Sequence, residues 1–229
     1  MHNLIIVGLG KTAMHVYSFV KYHSLYNVIG FAVNEKYKNC ETFNGLPVFS
    51  LEHLEKECSD NDFCLFIAVL WNRLNSERKE IYDYCKGRGY TLANLISPTA
   101  IIRSEILGDN CWIHDYVVIQ NNAHIASDVL IMAYTLIGAN TTIESHCFFG
   151  ARSLLGGGSI VGEQCFIGLN ATIFDDTTIG RKCIIGACSA VKRNMPDFSK
   201  YATLSDNISL KEYKEEDIEN KLIFSLNKR

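Results

Sequence analysis

The sequence predicts a small α/β domain followed by a parallel β-helix, and two observations carry that prediction. From Thr99 to Asn194 the chain repeats every six residues through sixteen unbroken hexads, from TAIIRS to SAVKRN. Upstream of them, strand, turn and helix patterns alternate, as in a sheet with helices packed on its faces.

The N-terminal elements can be read in order. Leu4–Val7 is a strand, Gly8-Leu9-Gly10-Lys11-Thr12-Ala13 a turn, and Met14–Tyr22 a helix with apolar residues at helical spacing. Val28–Val33 makes a second strand ending at Asn34, and Cys64–Val69 a third. Ser76–Cys85 is a helix closed by Gly87 and Gly89, and Tyr90–Ile96 is a last strand before Pro98. The alternation over residues 1–97 predicts a Rossmann-like domain of the nucleotide-binding kind, with Gly8, Gly10 and Lys11 in its first turn and Asn34 at the end of its second strand. A lone GxGxxA turn is a weak signal, because such turns also serve simply to pack a helix closely on a strand.

In the hexads the third place is always Ile, Leu, Val or Phe, the first is nearly always Thr, Ser, Ala, Val or Cys, and Gly holds the fourth in eight of the sixteen. A six-residue period of this kind belongs to a parallel β-helix. Each hexad supplies one short strand and a corner, and three close a coil of 18 residues, so that residues 18 apart stack in columns. The β-helix is expected over residues 98–196. Residues 197–229 form a charged tail in which Ser209 and Glu212 make a capping box for a short terminal helix.

Composition limits the function. A formal net charge of −3 with scattered cations gives no basic footprint, which argues against nucleic acid or an anionic membrane as a partner. The opening MHNLIIVG is too short an apolar stretch for a signal sequence or a span, so a cytoplasmic location is expected. Of nine cysteines, Cys111, Cys147, Cys165 and Cys183 fall at the inward first place of hexads on one face, and no CxxC is present. They are expected as core filler, with no metal and no permanently bound cofactor.

The outward second place distinguishes the three faces. One carries Trp112, Leu130, Phe148, Phe166 and Ile184, another Val118, Leu136 and Leu154, and the third His124, Thr142, Ile160 and Thr178. The first stripe is too apolar to face water and is expected to be a subunit interface, in preference to a seat for the N-terminal domain.

The hexads ending in IGRKCIIGACSAVKRNMP, preceded by the GxGxxA strand and turn, resemble the left-handed β-helix (hexapeptide-repeat) acyltransferases related to sialic acid O-acetyltransferases and to N-acetyltransferases of nucleotide-linked amino sugars. FAVNEKY, NRLNSERKEIYDYCKGRGY, LISPTA and CFIGLNATI are especially similar to one subgroup of sugar acetyltransferases, and the likeness spans nearly the whole chain. The resemblance implies a left-handed coil, a homotrimer, acetyl-CoA as donor and a sugar or nucleotide sugar as acceptor. The hexads alone are less specific, since the same solenoid also serves other activities.

The chain departs from that family where the chemistry lies. The family's histidine position falls on the fifth place of TLIGAN, which is Ala139, with Asn140 beside it, and a second family histidine is replaced around Ala151-Arg152. In the N-terminal domain Lys11-Thr12 stands for a usual His, and Asn34 for one or two Asp; an Asn accepts a hydrogen bond but is not a charged bidentate partner. Gly157 stacks on Ala139, one coil away, where the resemblance places the thioester, and its N–H is the expected oxyanion donor. Gly168, Gly186, Ala187, Lys192 and Arg193 are expected along coenzyme A. Of the solenoid histidines, His114, His124 and His146, only His146 has a stacked carboxylate, Asp128; this is expected to be a surface pair, with His146 a weak candidate base.

A sugar hydroxyl needs a base to attack a thioester, whereas a neutral amine does not. The missing histidine therefore points to an N-acyltransferase acting on an amino sugar, with Asn140 orienting it, in surface-polysaccharide biosynthesis. The alternatives are an O-acetyltransferase using another base and an inactive trimer that keeps only a ligand site.

Overall fold

The computed structural model describes residues 1–58, 62–70, 72–105 and 108–202. The capping box expected at Ser209 and Glu212 lies outside them. The N-terminal domain runs β1 (Asn3–Val7), α1 (Lys11–Tyr22), β2 (Asn27–Val33), β3 (Thr42–Phe43), β4 (Leu46–Ser50), α2 (Leu54–Glu57), β5 (Phe63–Ile67) and α3 (Ser76–Gly87). Its sheet has the order β3-β4-β2-β1-β5, parallel except between β3 and β4. Leu4, Ile5, Ile6 and Val7 of β1, which lies between β2 and β5, are all buried, as an unbroken apolar strand covered on both faces must be. The short β3–β4 hairpin was not expected. Its signal was Asn44-Gly45, a pair with positive φ at both residues that favours a two-residue hairpin turn.

The expected last strand, Tyr90–Ile96, divides. Leu92 bridges to Leu65 of the domain sheet, while β6 (Leu95–Ile96) pairs with Trp112–Ile113 and is already a rung of the solenoid. From there two-residue strands stack in three parallel sheets and end at Lys200–Tyr201. This is the left-handed β-helix. Every sixth residue from Asn110 to Cys188 turns a corner with φ between +53° and +69°, Tyr116, Tyr134 and His146 included. The first- and third-place residues, with the column Cys111, Cys147, Cys165 and Cys183, fill one continuous core.

The hexads are not unbroken in space. The 18-residue register holds from Trp112 to Val191, but Ile101 pairs with Val118, 17 residues on, and Ile184 with Lys200, only 16 on. The first coil is thus one residue short: Ile101, at a third place in the sequence, sits opposite a second-place residue.

Glycine at the fourth place has a steric reason. A Cβ on Gly168 would lie 2.5 Å from the Ala187 backbone nitrogen of the next coil. Gly168→Ala is expected to cost about 1–3 kcal/mol as the coils shift to admit the methyl group, which urea titration followed by circular dichroism would measure; an unchanged midpoint would contradict it.

The apolar stripe is corrected. Trp112 (1% exposed), Leu130 (2%) and Phe148 (5%) share one core cluster with Leu4, Ala13, Phe19, Phe31 and Phe66 of the N-terminal domain, and Phe166 packs against it. Trp112, Leu130 and Phe148, with Phe166 beside them, are therefore the seat of the chain's own first domain. The face carrying Ile101, Val118, Leu136 and Leu154 lies outside that seat, and of these Ile101 and Leu154 are exposed.

Candidate functional site

Two regions and the seam between them make the site. In the first domain a cleft of about 270 Å³ opens at the C-terminal ends of β1 and β2, where open α/β sheets bind ligands. Gly8 and Asn34 line it. Gly8 has φ +133°, and its N–H donates to the Ala32 carbonyl, so glycine is needed there for the backbone itself. Gly10 caps α1, and Lys11 is the exposed first residue of that helix; neither lines the cleft. The Asn34 amide donates to Glu52 Oε1 (3.2 Å) while Glu52 Oε2 accepts from the Glu35 N–H (2.8 Å). Burial opposes the charge of Glu52, but these hydrogen bonds and one from Ser50 hold its carboxyl below the usual range. Sequence reasoning missed Lys36, Tyr37, Glu77 and Glu80, which line the cleft but have no motif of their own, and Glu52, which bonds to Asn34.

The second region is the corner column Ala139, Gly157, Asp175 and Arg193, each 18 residues from the last. The Gly157 N–H expected to be available donates to Asp175 Oδ1 at 2.7 Å. Asp175 was also missed, although the 18-residue step from Gly157 pointed to it. A Cβ on Gly156 or Gly158 would fall 2.5 Å from Asp175 Oδ1 or 2.3 Å from Asp176 Oδ1. The three consecutive glycines thus make the notch into which these carboxylates lean. Asn140 is exposed at the same corner, and its Oδ1 accepts from Asn122 (3.1 Å). Lys192 and Arg193 end this corner, both exposed, with Lys192 Nζ 5.2 Å from the Phe174 ring. Gly168, Gly186 and Ala187 lie on a different corner, across the Leu136–Leu154 face.

His146 is corrected. It is no surface residue: it is 4% exposed, its Nδ1 lies 2.8 Å from Asp128 Oδ2, and its Nε2 3.2 Å from Lys79 Nζ. An ammonium only donates, so Nε2 accepts and Nδ1 carries the proton given to Asp128. With both nitrogens engaged beneath α3, the ring is withdrawn from substrate.

His146 belongs instead to the seam. The corner column Asn110, Asp128, His146 and Gln164 is buried throughout and faces the first domain. Arg78 Nε lies 2.6 Å from Asp128 Oδ1, Asn75 donates to the His146 carbonyl (2.7 Å), and Gln164 donates to the Leu74 carbonyl and Ser76 Oγ (2.9 Å each). At the other end of the seam His114 packs beside Phe19 and Trp112, and burial lowers its pKa.

This architecture, a Rossmann-like domain with its cleft seated on a hexapeptide-repeat left-handed β-helix, is that of the hexapeptide acyltransferases, a fold that also serves other activities. The model for bacterial transferase hexapeptide (six repeats) matches residues 106–139, and that for the hexapeptide repeat of succinyl-transferase matches residues 140–160 and 158–193. A variant of perosamine N-acetyltransferase from Caulobacter crescentus, in complex with CoA and GDP-perosamine, superposes with a TM-score of 0.77 and 25% identity, over 88% of this chain and 94% of that one. The acetyltransferase domain of PglB from Neisseria gonorrhoeae, in complex with acetyl coenzyme A, gives 0.76 and 22% over 88% and 96%, and WeeI from Acinetobacter baumannii 0.75 and 16% over 87% and 96%. These last two share the fold. No curated protein sequence matches the chain. The chain carries the hexapeptide repeat of these transferases, is similar in structure to a sugar N-acetyltransferase, and is an acetyltransferase. Among the described residues no helix is long and apolar enough to cross a membrane.

Proposed function

We propose that the protein transfers the acyl group of acetyl-CoA to the amine of a nucleotide-linked amino sugar, in surface-polysaccharide biosynthesis, as a homotrimer. The observation that carries this is the corner column itself: a methyl at Ala139, no side chain at Gly157, and the carboxylate of Asp175. A carboxylate can take the proton from the ammonium that forms when an amine adds to a thioester. The amine nitrogen bonds to the carbonyl carbon, Asp175 accepts a nitrogen proton, the C–S bond breaks, and the thiolate leaves as CoA. As Asp175 turns toward the nitrogen it releases the Gly157 N–H to the carbonyl oxygen. Asn140 orients the acceptor. The hydroxyl-directed alternative has lost its candidate base, since His146 is buried.

The nucleotide occupies the cleft beside Gly8 and Asn34. Coenzyme A follows Gly157, Lys192 and Arg193 on one copy, with Gly168, Gly186 and Ala187 supplied from the facing corner of the next, which is how two corners on opposite sides of one face can share one donor. The relative in complex with CoA and GDP-perosamine supports this choice of donor and acceptor class. Thiol release from acetyl-CoA should be seen with at least one nucleotide amino sugar, and Asp175→Asn should lower kcat about tenfold or more, in the range of a lost proton acceptor. Absence of turnover with every amine acceptor would sink the reading.

A further inference from the structure

Arg78 joins the cleft to the β-helix. It is 1% exposed, and its guanidinium makes every contact inside the protein. Nη1 donates to the carbonyls of Ile67, the last residue of β5, and of Val69, which lines the cleft (3.0 Å to Val69). Nη2 donates to the Asn110 carbonyl (3.1 Å), and Nε faces Asp128 Oδ1 (2.6 Å). Asn110 completes the node by accepting from the Ile67 N–H (3.0 Å) and donating to Asp128 Oδ1 (2.6 Å). One cation therefore fixes the floor of the cleft against two successive corners of the coil. The same helix, α3, lines the cleft with Glu77, Glu80 and Ile81 on its other side.

We propose that Arg78 is a positioning residue for acyl transfer: it holds the end of β5 at a set place on the Asn110 and Asp128 corners, so that an acceptor bound in the cleft is presented to the coils at a fixed distance. This rests on the functional reading above. A guanidinium is suited to the task because its planar fork offers five donors in fixed directions, which a lysine cannot reproduce. Arg78 lies beneath Val69 and touches no ligand itself, so its effect should fall on the rate from the bound complex and spare binding.

Removing Arg78 alone would strand the buried Asp128 charge and endanger folding, so the informative variant is Arg78→Met with Asp128→Leu, which replaces the pair by apolar side chains of similar bulk. In the full chain, the affinity for the nucleoside diphosphate part of the acceptor should stay within about threefold of wild type while kcat falls tenfold or more. Arg78→Lys should fall in between. Equal losses in affinity and kcat, or no loss in kcat, overturn the proposal. If the wild-type protein transfers to no amine, the functional reading fails, and hydrogen exchange at the Ile67 amide then decides the positioning role. Protection lost in the double variant, with the coil amides still protected, supports it; protection retained overturns it.

Discussion

Trp112→Ala is expected to lower the free energy of unfolding by about 3–5 kcal/mol, the usual cost of emptying a large aromatic site. The side chain projects outward from the first regular coil, yet it is 1% exposed. Its ring centroid lies 5.0 Å from that of His15 and 5.5 Å from that of Phe19 on α1, and 6.1 Å from that of Phe66 on β5. Its loss opens a cavity between two domains, and the coil cannot collapse to fill it because each rung is fixed by hydrogen bonds to its neighbours. Against a total stability of about 5–15 kcal/mol, the first domain should detach before the hexads unfold, giving two transitions by circular dichroism where the wild type gives one. A loss below about 1 kcal/mol would show that Trp112 is not part of a common core.

Leu136→Glu together with Leu154→Glu is expected to convert the proposed trimer to monomers while leaving the unfolding midpoint of the coil nearly unchanged. Leu154 is 37% exposed and Leu136 part exposed, on an apolar face that the first domain leaves uncovered. Both stand on the outward side of strands that pair with each other, so a charge there faces water in the monomer at little cost. In an interface the same two carboxylates would be desolvated without partners, at a cost of several kcal/mol. Sedimentation velocity would decide it, and a trimer that survives both substitutions would place the interface elsewhere. Phe148→Glu should act differently, by unseating the first domain within one chain, and should lower stability whatever the assembly.

Much of the fold was legible because its rules are local. From Cys111 onward the third-place aliphatic residues, the small first places and the four stacked cysteines each follow from a rung repeating itself on the next, and all are buried where the period put them. Helix α1 was readable from helical spacing, α3 from the glycines that close it, and strands β1, β2 and β5 from apolar runs, within a few residues at their ends. Of the cleft, Gly8 and Asn34 were found because a turn and a strand end are marked in sequence. Glu77 and Glu80 were not, since they reach it from a segment the sequence does not tie to it. Asp175 could have been found by stepping the column forward from Gly157; His146 was found, but its burial was not.

What the sequence by itself determined is therefore the periodic part: the coil, its columns, the domain order and the absence of a histidine at Ala139. What only the tertiary structure decided is which outward stripe is covered, and by what. Trp112, Leu130 and Phe148 carry the same pattern whether a second copy or the chain's own first domain lies on them. The choice is made by contacts with Phe19, Phe31 and Phe66, 46 to 129 residues away in sequence, and by Arg78 meeting Asp128 at the seam. Periodicity reports that a face must leave water; the identity of its cover depends on the shape and hydrogen bonding of two surfaces, which no repeat along a single strand records.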